Sequence, residues 1–470
     1  MRGMKKALKK YSAKHALSGV LKILPHLSDT NILRILSIAE KSSVNPAFKE
    51  RVLVIQELIR NGHPALDIVR RLNKQLSSVP KEKLISNLFS NAMFEGTAKR
   101  QEILAKEGWR PPFFFVISPT MKCNLKCTGC YAAQYEKKDV ITTELIDRIF
   151  KEAKELGIYF VTVSGGEPFY RKDLLDIWEK HNDMFFLVYT NGTLIDSDMA
   201  KRLRKLGNVA PAISVEGFKE ETEKRRGQGV YEKLLEAWKN LRDNGVLFGF
   251  SATCTRYNAE VIYSDEFIDF IIEQGALFGW YFQYIPVGRK PDTSMMATPQ
   301  QRAWMREKLQ HIRNTKPIIL ADFWNDGHLA GGCIAGGRVY FHINALGNIE
   351  PCVFTHFTKD NIKDTTIRQA LQSNLFKEIQ KNQPYSKNLM CPCMIIDNPQ
   401  VLRNIVAKTG AQPSYPGAEA IITENAAFLD QYAKEIHALW DPVWVEKYDS
   451  GRKLKGLDAE VAAKLFNDKK

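Results

Sequence analysis

Hydrophobic residues in the first 110 positions recur at the spacing of α-helices. Apolar side chains three or four positions apart fall on one side of a helix, and no alternating strand pattern interrupts them. The pattern therefore predicts a basic, helical N-terminal region over residues 1–110. The clearest apolar sets are Ile32, Leu33, Ile35 and Leu36, followed by Val52, Ile55, Leu58 and Ile59.

Between residues 111 and 315, short apolar runs alternate with amphipathic helices. Strand–helix units in succession predict a parallel sheet covered by helices. We therefore expect an α/β fold, a partial (β/α)6 TIM-like barrel, with functional groups on the loops that follow the strands. The predicted strands are residues 113–118, 160–164, 185–189, 210–215, 247–253 and 280–287, and the predicted helices include residues 143–156, 231–244 and 260–274.

Glycine and cysteine become frequent after a helix predicted at residues 299–312. Turn signals at Gly336, Gly337 and Gly347 predict hairpins. Residues 316–400 are therefore expected to form a small cysteine-rich domain. Residues 401–470 are predicted to be a helical tail, most clearly over residues 418–440.

The composition is that of a globular protein. The 470 residues are 44% hydrophobic and 26% charged, which suits about three domains. Apolar runs are shorter than the roughly 18 residues that a membrane-spanning helix needs. The net charge of +14 favours anionic partners such as membrane surfaces, nucleic acid or acidic substrates.

Seven of these positive charges lie in the first 28 residues, which contain no acidic residue. An apolar stripe beside them predicts a basic amphipathic helix that can lie on an anionic membrane. The alternative is a helix packed on the protein with its lysines in water. No signal peptide is predicted, because Lys22 interrupts the apolar stretch. We therefore expect a cytoplasmic protein with peripheral membrane contact. The basic residues are Arg2, Lys5, Lys6, Lys9, Lys10, Lys14 and Lys22, and the stripe is Leu17, Val20, Leu21 and Leu24.

Three cysteines directly after the first predicted strand carry the strongest chemical signal. Cys123, Cys127 and Cys130 are separated by three and then two residues. Three thiolates at this spacing can hold an iron–sulfur cube and leave one of its four irons without a protein ligand. A structural zinc site would need a fourth ligand nearby, and neither histidine nor cysteine follows until His181.

This cysteine spacing, placed after a strand of a βα array, closely resembles that of the radical S-adenosylmethionine (SAM) superfamily. The resemblance implies a catalytic [4Fe-4S] cluster on Cys123, Cys127 and Cys130, with SAM bound to the open iron. It also implies reductive cleavage of SAM to a 5′-deoxyadenosyl radical. An external one-electron donor, such as a flavodoxin or a ferredoxin-like protein, would supply the electron.

Other motifs extend the resemblance to the SAM site. Gly165, Gly166 and Glu167 are similar to the family's glycine-rich motif, which receives the amino group of SAM. The resemblance implies cofactor contacts from Asn191, from Ser214 and Glu216, from Arg225 or Arg226, and from Val287 near the adenine. One position departs from the pattern: Gly129 stands where many members carry an aromatic residue, and the nearby aromatic is Tyr131.

A second cysteine set follows the barrel. Cys333, Gly347 and Cys352 resemble the opening of the SPASM and twitch domains, which carry auxiliary clusters. With Cys391 and Cys393 they provide four ligands, which suit one auxiliary [4Fe-4S] cluster. Two alternatives stay open: the Cys-Pro-Cys pair could supply a single ligand and leave an open iron for substrate, or four cysteines could hold zinc.

The remaining candidates have plainer roles. Cys254 is expected to be a buried core residue, and His342 and His356 to serve in packing or at the surface. No nucleic acid partner is expected, because no motif interleaves aromatic and basic residues.

The predicted function is abstraction of a hydrogen atom from a substrate carbon. The basic helical N-terminal region is unlike a leader-peptide recognition domain and favours a membrane-associated lipid or isoprenoid substrate. Modification of a peptide or protein is the alternative, and enzymes of the SPASM and twitch groups also modify small molecules. An iron–sulfur electron carrier is the hypothesis from a different functional class.

Overall fold

The computed structural model describes residues 27–42, 46–137 and 141–449. The basic amphipathic helix predicted at the N-terminus lies outside the described residues, apart from its last two positions, and stays a prediction. None of the helices in the described part is long and apolar enough to cross a membrane.

The described part of the N-terminal region is helical, as predicted, and it packs on the barrel where the strands begin. Arg71 donates hydrogen bonds to the backbone oxygens of Ile272 and Ala276 at 3.0 and 2.9 Å. Leu76 packs with Phe185 and other residues at the amino ends of strands. The helices are Asp29–Ser42, Pro46–Arg60, Ala65–Gln75, Ser78–Lys83 and Gly96–Glu107, with a π-helix at Leu84–Glu95.

The central sheet contains seven parallel strands in sequential order. The partial barrel is confirmed, but it has one strand more than the six predicted. The seventh strand lies within residues 316–400, which were predicted to form the cysteine-rich domain. The strands are β1 Phe114–Ile117, β2 Phe160–Val163, β3 Phe185–Thr190, β4 Val209–Ser214, β5 Gly249–Cys254, β6 Phe278–Gln283 and β7 Ile319–Asp322.

Two predicted elements differ in their bounds. The helix predicted at residues 260–274 is two helices, because Ser264 breaks it and caps the second: its Oγ accepts a hydrogen bond from the Phe267 amide at 3.1 Å. The sixth strand ends at Gln283 rather than at residue 287, and Pro286 has no amide hydrogen with which to continue a ladder. The helices around the barrel are Thr143–Glu155, Asp173–Lys180, Ser197–Leu206, Lys219–Arg226, Val230–Asp243, Ala259–Ile262, Asp265–Glu273 and Pro299–Thr315, with 3-10 turns at Pro168–Tyr170 and Thr293–Met295.

Side chains alternate between the two faces of the sheet. Phe115 and Ile117 of β1 pack in the main core with residues of the surrounding helices, such as Trp178 and Trp238. Every second residue, beginning with Phe114, faces a cavity enclosed by the sheet. Both faces of β1 are therefore apolar, which explains its continuous hydrophobic run.

The cysteine-rich region continues the same sheet. β8 His342–Ile343 pairs in parallel with β1, β9 Asn348–Glu350 returns as an antiparallel hairpin, and β11 Asp360–Asn361 forms the edge. The predicted hairpin at Gly347 is thus present. β10 Phe357–Thr358 pairs separately with β12 Gln412–Pro413. Within the described residues the sheet ends at β7 and β11, so it is open.

Helices complete the C-terminal part. Up to residue 449, where the described part ends, the tail is largely helical as predicted, but the segment at residues 418–440 consists of a 3-10 turn followed by a long helix. The elements are Gly327–Ala330, Ile367–Ala370, Asn374–Asn382, Pro399–Thr409, the turn Ala418–Ile421, the helix Ala426–Trp444 and a π-helical end at Val445–Asp449. The domain boundaries proposed from the sequence stay predictions.

A buried polar network joins β1 to the C-terminal hairpin. His342 contacts Glu350 at 2.6 Å through Nδ1 and Ser118 at 2.8 Å through Nε2. Glu350 also accepts hydrogen bonds from Tyr135 and Asn344, each at 2.8 Å. Burial, the largest single influence, opposes ionisation of Glu350, but the hydrogen bond with His342 and the other nearby donors and charges together outweigh it and lower the pKa of that carboxyl. His342 is therefore a packing residue, as predicted, and one that holds two regions together.

We expect Glu350→Ala to lower the free energy of unfolding by about 3–5 kcal/mol, because it leaves the buried donors of Tyr135, Asn344 and His342 without their acceptor, and each such loss costs about 1–3 kcal/mol. Urea denaturation followed by circular dichroism measures this change. The exposed Glu236→Ala serves as control. Because the folded pKa of Glu350 is lowered, the stabilisation is present above its ordinary pKa of 4.5 and is lost as pH falls. Equal stability of both variants at neutral pH would contradict this role.

Candidate active site

The three clustered cysteines lie on the loop after β1, at the carboxyl end of the sheet. Cys123, Cys127 and Cys130 all line the central cavity. Backbone hydrogen bonds fix this loop from two sides: the Thr128 amide donates to the Arg225 oxygen at 2.9 Å, and the Arg289 amide donates to the Cys130 oxygen at 3.0 Å. The loop is thus held by the segments that follow β4 and β6.

The glycine-rich motif after β2 is in direct backbone contact with the start of this loop. The Gly166 amide donates to the Thr120 oxygen and the Glu167 amide to the Lys122 oxygen, both at 2.8 Å. A Cβ atom on Gly165 would lie 2.4 Å from the Thr120 oxygen, and one on Gly166 would lie 2.2 Å from the Lys122 oxygen. Both positions therefore exclude any side chain. Both glycines also line the cavity, where the sequence placed the amino group of SAM.

Glu167 lies behind the glycines and does not line the cavity. Its carboxylate accepts hydrogen bonds from the Phe169 amide at 3.1 Å, the Thr190 hydroxyl at 2.8 Å and the Asn191 amide at 2.7 Å. Burial raises its pKa to about 7. The structure thus shows Glu167 joining the ends of β2 and β3, while its predicted contact with SAM stays a prediction.

Asn191 connects β3 to the cysteine loop. Its side-chain amide lies 2.8 Å from the Asn124 oxygen and 3.7 Å from the Cys123 sulfur. Its oxygen accepts a hydrogen bond from the Thr193 hydroxyl at 2.7 Å. Asn191 therefore lies at the edge of the cavity with its amide directed at a cluster ligand.

The chemistry of the thiols fits an iron–sulfur group. Burial raises the pKa of Cys123 and of Cys130. Thiolates in such a place need a cationic partner, and ligation by iron supplies it. The Leu125 amide donates to the Cys123 sulfur at 3.4 Å, and amide hydrogen bonds to sulfur are a recognised influence on cluster potentials. Three thiols on one wall therefore suit a cube with one open iron.

An arginine pair forms the charged side of the cavity. Arg225 and Arg226 both line it, and both donate to the same oxygen of buried Glu216 at 2.5 Å. Glu216 itself is 1% exposed and does not line the cavity. Two positive charges against one negative charge leave a surplus that favours an anion such as the SAM carboxylate. Glu216 therefore orients the two arginines, and its predicted contact with the cofactor stays a prediction.

Ser214 lies on the same side of the cavity. Its hydroxyl is 3.1 Å from that of Ser251 on the neighbouring strand. With Thr253, these side chains give the inner face of β4 and β5 a polar character. This is the side on which the sequence placed contacts to the ribose.

Tyr284 explains the departure at Gly129. Gly129 has φ +64°, and a Cβ atom there would lie 2.6 Å from the Tyr284 ring. The space of the family's aromatic side chain is thus filled from the end of β6. Tyr284 and Ile285 line the cavity, whereas Val287 is buried and does not. The predicted adenine contact of Val287 stays a prediction, and Tyr284 is the aromatic candidate that sequence reasoning missed.

The rest of the cavity wall is apolar and largely aromatic. These side chains occupy every second position along β1, β2, β3 and β6. The period of two in the sequence therefore contained the information that they share one face of the sheet. Sequence reasoning missed them because the other positions are equally hydrophobic. They are Phe114, Val116, Phe160, Leu187, Tyr189, Trp280 and Phe282, joined by Phe323, Val353 and Phe354.

A second cavity adjoins the first and contains three of the four remaining clustered cysteines. Cys333, Cys352 and Cys393 line it, and Phe282, Phe354 and three further residues belong to both cavities. Cys391 does not line either cavity. Its sulfur lies within 4.8 Å of ligand atoms of His437 and Asp441. The structure therefore brings together three of the four predicted auxiliary ligands.

Two other candidates have structural roles, as predicted. Cys254 is fully buried, with its sulfur 3.8 Å from the Tyr263 hydroxyl. His356 is buried against Tyr135 and Tyr415 and lies 2.8 Å from the Tyr415 hydroxyl.

Comparison with known families identifies this arrangement. The family model described as the radical SAM superfamily matches residues 117–257. The matched segment holds the cysteine loop, the glycine motif and the arginine pair. Residues 117–257 therefore form a radical SAM domain. A [4Fe-4S] cluster and SAM are the cofactors that this domain implies, and the residues described above fit both.

Relatives of this radical SAM protein differ in what they make. It is 33% identical to Fe-coproporphyrin III synthase of Methanosarcina barkeri over 152 residues, or 31% of this chain and 38% of the relative. It thus spans well under half of that relative's length. It is 28% identical to the mycofactocin maturase MftC of Mycobacterium tuberculosis over 298 residues, or 59% of this chain and 75% of the relative.

A solved structure shares the fold. Streptococcus suis SuiB, crystallised with its precursor peptide SuiA, superposes with a TM-score of 0.53 at 20% sequence identity. The superposition covers 73% of this chain and 88% of SuiB. The cysteine-rich C-terminal region of the radical SAM protein is consistent with an auxiliary cluster domain of the SPASM or twitch type.

We expect Arg226→Ala to weaken SAM binding about ten- to a hundredfold, because a hydrogen bond to a charged group is worth about 1.5–3 kcal/mol. Isothermal titration of anaerobically reconstituted protein measures this affinity at matched iron content. Arg204→Ala removes the same charge from an exposed helix position and serves as control. Unchanged SAM affinity in Arg226→Ala would remove the arginine pair from the site.

Proposed function

We propose that this radical SAM enzyme removes a hydrogen atom from an apolar part of a peptide substrate. The observation that carries the proposal is the division of one cavity into a charged end, beside the cysteine loop, and an apolar end. When bound, the cluster and SAM would supply the chemistry: one electron would cleave SAM to methionine and a 5′-deoxyadenosyl radical, and a hydrogen atom taken from the substrate would convert that radical to 5′-deoxyadenosine.

The residues of the charged end bind and orient. Cys123, Cys127 and Cys130 hold three irons, and the arginine pair accepts the SAM carboxylate. The Asn191 amide, directed at the Cys123 sulfur, stabilises the thiolate by a hydrogen bond. The electron comes from an external one-electron donor.

The apolar end excludes water and selects the substrate. Its inner wall, from Phe114 on β1 to Phe282 on β6, offers no charged side chain among the residues that line it. A charged substrate group would lose its hydration there without gaining a partner. The reacting portion of the substrate is therefore an aromatic or aliphatic group.

A peptide is the substrate class that the relatives favour. The PqqA peptide cyclase of Rhizobium meliloti, which is named for a peptide, is 25% identical to this chain over 291 residues. An apolar side chain of a peptide can enter the cavity while the peptide backbone remains outside it. This reverses the preference drawn from the sequence, in which peptide modification was the alternative.

A lipid or isoprenoid is the second candidate, and one observation favours it. Large apolar side chains on the N-terminal helices are exposed, notably Ile38 at 66% and Phe94 at 62%. An acyl or isoprenoid chain would also suit the apolar wall. The relatives give no support for lipid or membrane contact, so this candidate ranks below the peptide.

The catalytic assignment predicts that reduced protein converts SAM to 5′-deoxyadenosine, measured by mass spectrometry with dithionite as reductant. The triple variant Cys123→Ala, Cys127→Ala and Cys130→Ala should lose this activity completely, because no ligands remain for the catalytic cluster. Cys254→Ala changes a core cysteine outside the site and should retain it. Absence of 5′-deoxyadenosine from fully reconstituted wild-type protein would contradict the proposal and favour an electron carrier.

The substrate class can be tested with fractions from cells grown in deuterated medium. Because the radical takes its hydrogen from the substrate, only the fraction that contains the substrate transfers deuterium into 5′-deoxyadenosine. We expect label from the peptide fraction, lost after protease treatment. Leu187→Asp, which places a charge on the apolar wall, should abolish the labelling while unlabelled 5′-deoxyadenosine still forms.

Label from the lipid fraction alone would overturn the peptide proposal in favour of the second candidate. Label from the polar small-molecule fraction alone would contradict both.

A further inference from the structure

We infer that the auxiliary cluster is held by only three thiolates, from Cys333, Cys352 and Cys393, and that its fourth iron is open to a donor atom from the substrate cavity. Cys391 is then not a ligand. This inference rests on the auxiliary cluster domain of the proposed enzyme, but not on the identity of its substrate.

The first argument is the position of the sulfurs. Three of the cysteines line the second cavity, and Cys391 does not. The sulfur of Cys391 instead lies within 4.8 Å of ligand atoms of His437 and Asp441.

The second argument is a hydrogen-bond pattern that two of these sulfurs share. The Phe354 amide donates to the Cys352 sulfur at 3.4 Å, and the Ile395 amide donates to the Cys393 sulfur at 3.3 Å. Cys123 of the catalytic loop has an equivalent bond from Leu125. Amide donors stabilise sulfurs that carry charge in a cluster.

Cys391 lacks this bond for a visible reason. The amide two positions later belongs to Cys393, and it donates to the Asp397 carboxylate at 3.0 Å. Asp397 is in turn held by Arg302 at 2.6 Å, in an ion pair that is almost completely buried. The Asn398 side chain donates to the Cys391 backbone oxygen at 2.8 Å. The Cys-Pro-Cys loop is thus fixed with the Cys391 sulfur directed towards His437 and Asp441.

The third argument concerns what else could complete the cluster. The residues that line the second cavity include no histidine and no carboxylate, and no cysteine besides the three. Tyr340 is close, but its hydroxyl donates to the Cys352 sulfur at 3.0 Å. The remaining wall is apolar and is shared in part with the substrate cavity through Phe282, Phe323 and Phe354.

The open iron therefore takes its ligand from that cavity. A cube with three thiolates carries one negative charge less than one with four, which favours an anionic soft donor. A thiolate is the donor class that fits best.

The test uses a background in which the catalytic cluster is absent, Cys123→Ala, Cys127→Ala and Cys130→Ala, so that iron and electron paramagnetic resonance report the auxiliary cluster alone. We expect about four irons per chain in this background. Adding Cys391→Ser should leave the iron content and the spectrum unchanged. Adding Cys393→Ser should lose the cluster. Equal loss in both variants would overturn the inference.

A second measurement does not depend on a Cys391 variant. In the same background, 2-mercaptoethanol should change the spectrum of the reduced cluster by binding the open iron, and the spectrum should be equally responsive in Cys391→Ser. If 2-mercaptoethanol leaves the spectrum unchanged, the inference that the fourth iron lacks a protein ligand is wrong. Absence of iron from the background would overturn the auxiliary cluster itself, whereas SAM cleavage by the wild-type protein tests the proposed function separately.

Discussion

The active site depends on the close approach of two backbone segments, the turn after β1 and the glycine-rich turn after β2. Thr120 and Lys122 accept hydrogen bonds from Gly166 and Glu167, and the approach leaves no room for a Cβ atom. The cysteine loop begins directly after this contact, so its direction is set there. Glu167 connects this contact to β3, because its buried carboxylate accepts hydrogen bonds from Thr190 and Asn191 at the end of that strand.

The same constraint accounts for the division of the cavity. The polar lining residues lie at the end of the cavity that is formed by the loops after β1 to β4. Hydrogen bonds between these loops hold their polar groups close together. Further along the inner face the strands present aromatic and aliphatic side chains. The cysteine-rich region reaches this wall because β8 pairs with β1, and the buried His342–Glu350 pair secures that junction. A second cluster can therefore lie beside the substrate rather than at a distance from it.

Much of this organisation could be predicted from the sequence. Alternating strands and helices indicated the partial barrel, and the spacing of Cys123, Cys127 and Cys130 indicated the cluster and its open iron. The strand β7 was missed because its four residues follow a long helix and precede a glycine-rich segment. Its pairing with β6 is a tertiary property that no local pattern reveals.

Other features depend on contacts between distant residues. The role of Tyr284 follows from its approach to Gly129 across more than 150 positions, although the missing aromatic residue was a visible signal. The hydrogen bonds of Glu167 and Glu216 with protein groups on neighbouring segments are a further example, because buried carboxylates take nearby donors whose positions only the fold sets. The separation of Cys391 from Cys393 depends on the Arg302–Asp397 pair, whose partners are 95 positions apart.

The most direct measurement of the central claim is electron–nuclear double resonance of the reduced protein with SAM labelled in the amino nitrogen and carboxylate oxygen. If the fourth iron of the cluster on Cys123, Cys127 and Cys130 is open to SAM, both labels should show coupling to the cluster. The coupling should vanish in the triple cysteine variant. A reconstituted, SAM-saturated wild-type protein without such coupling would contradict the account.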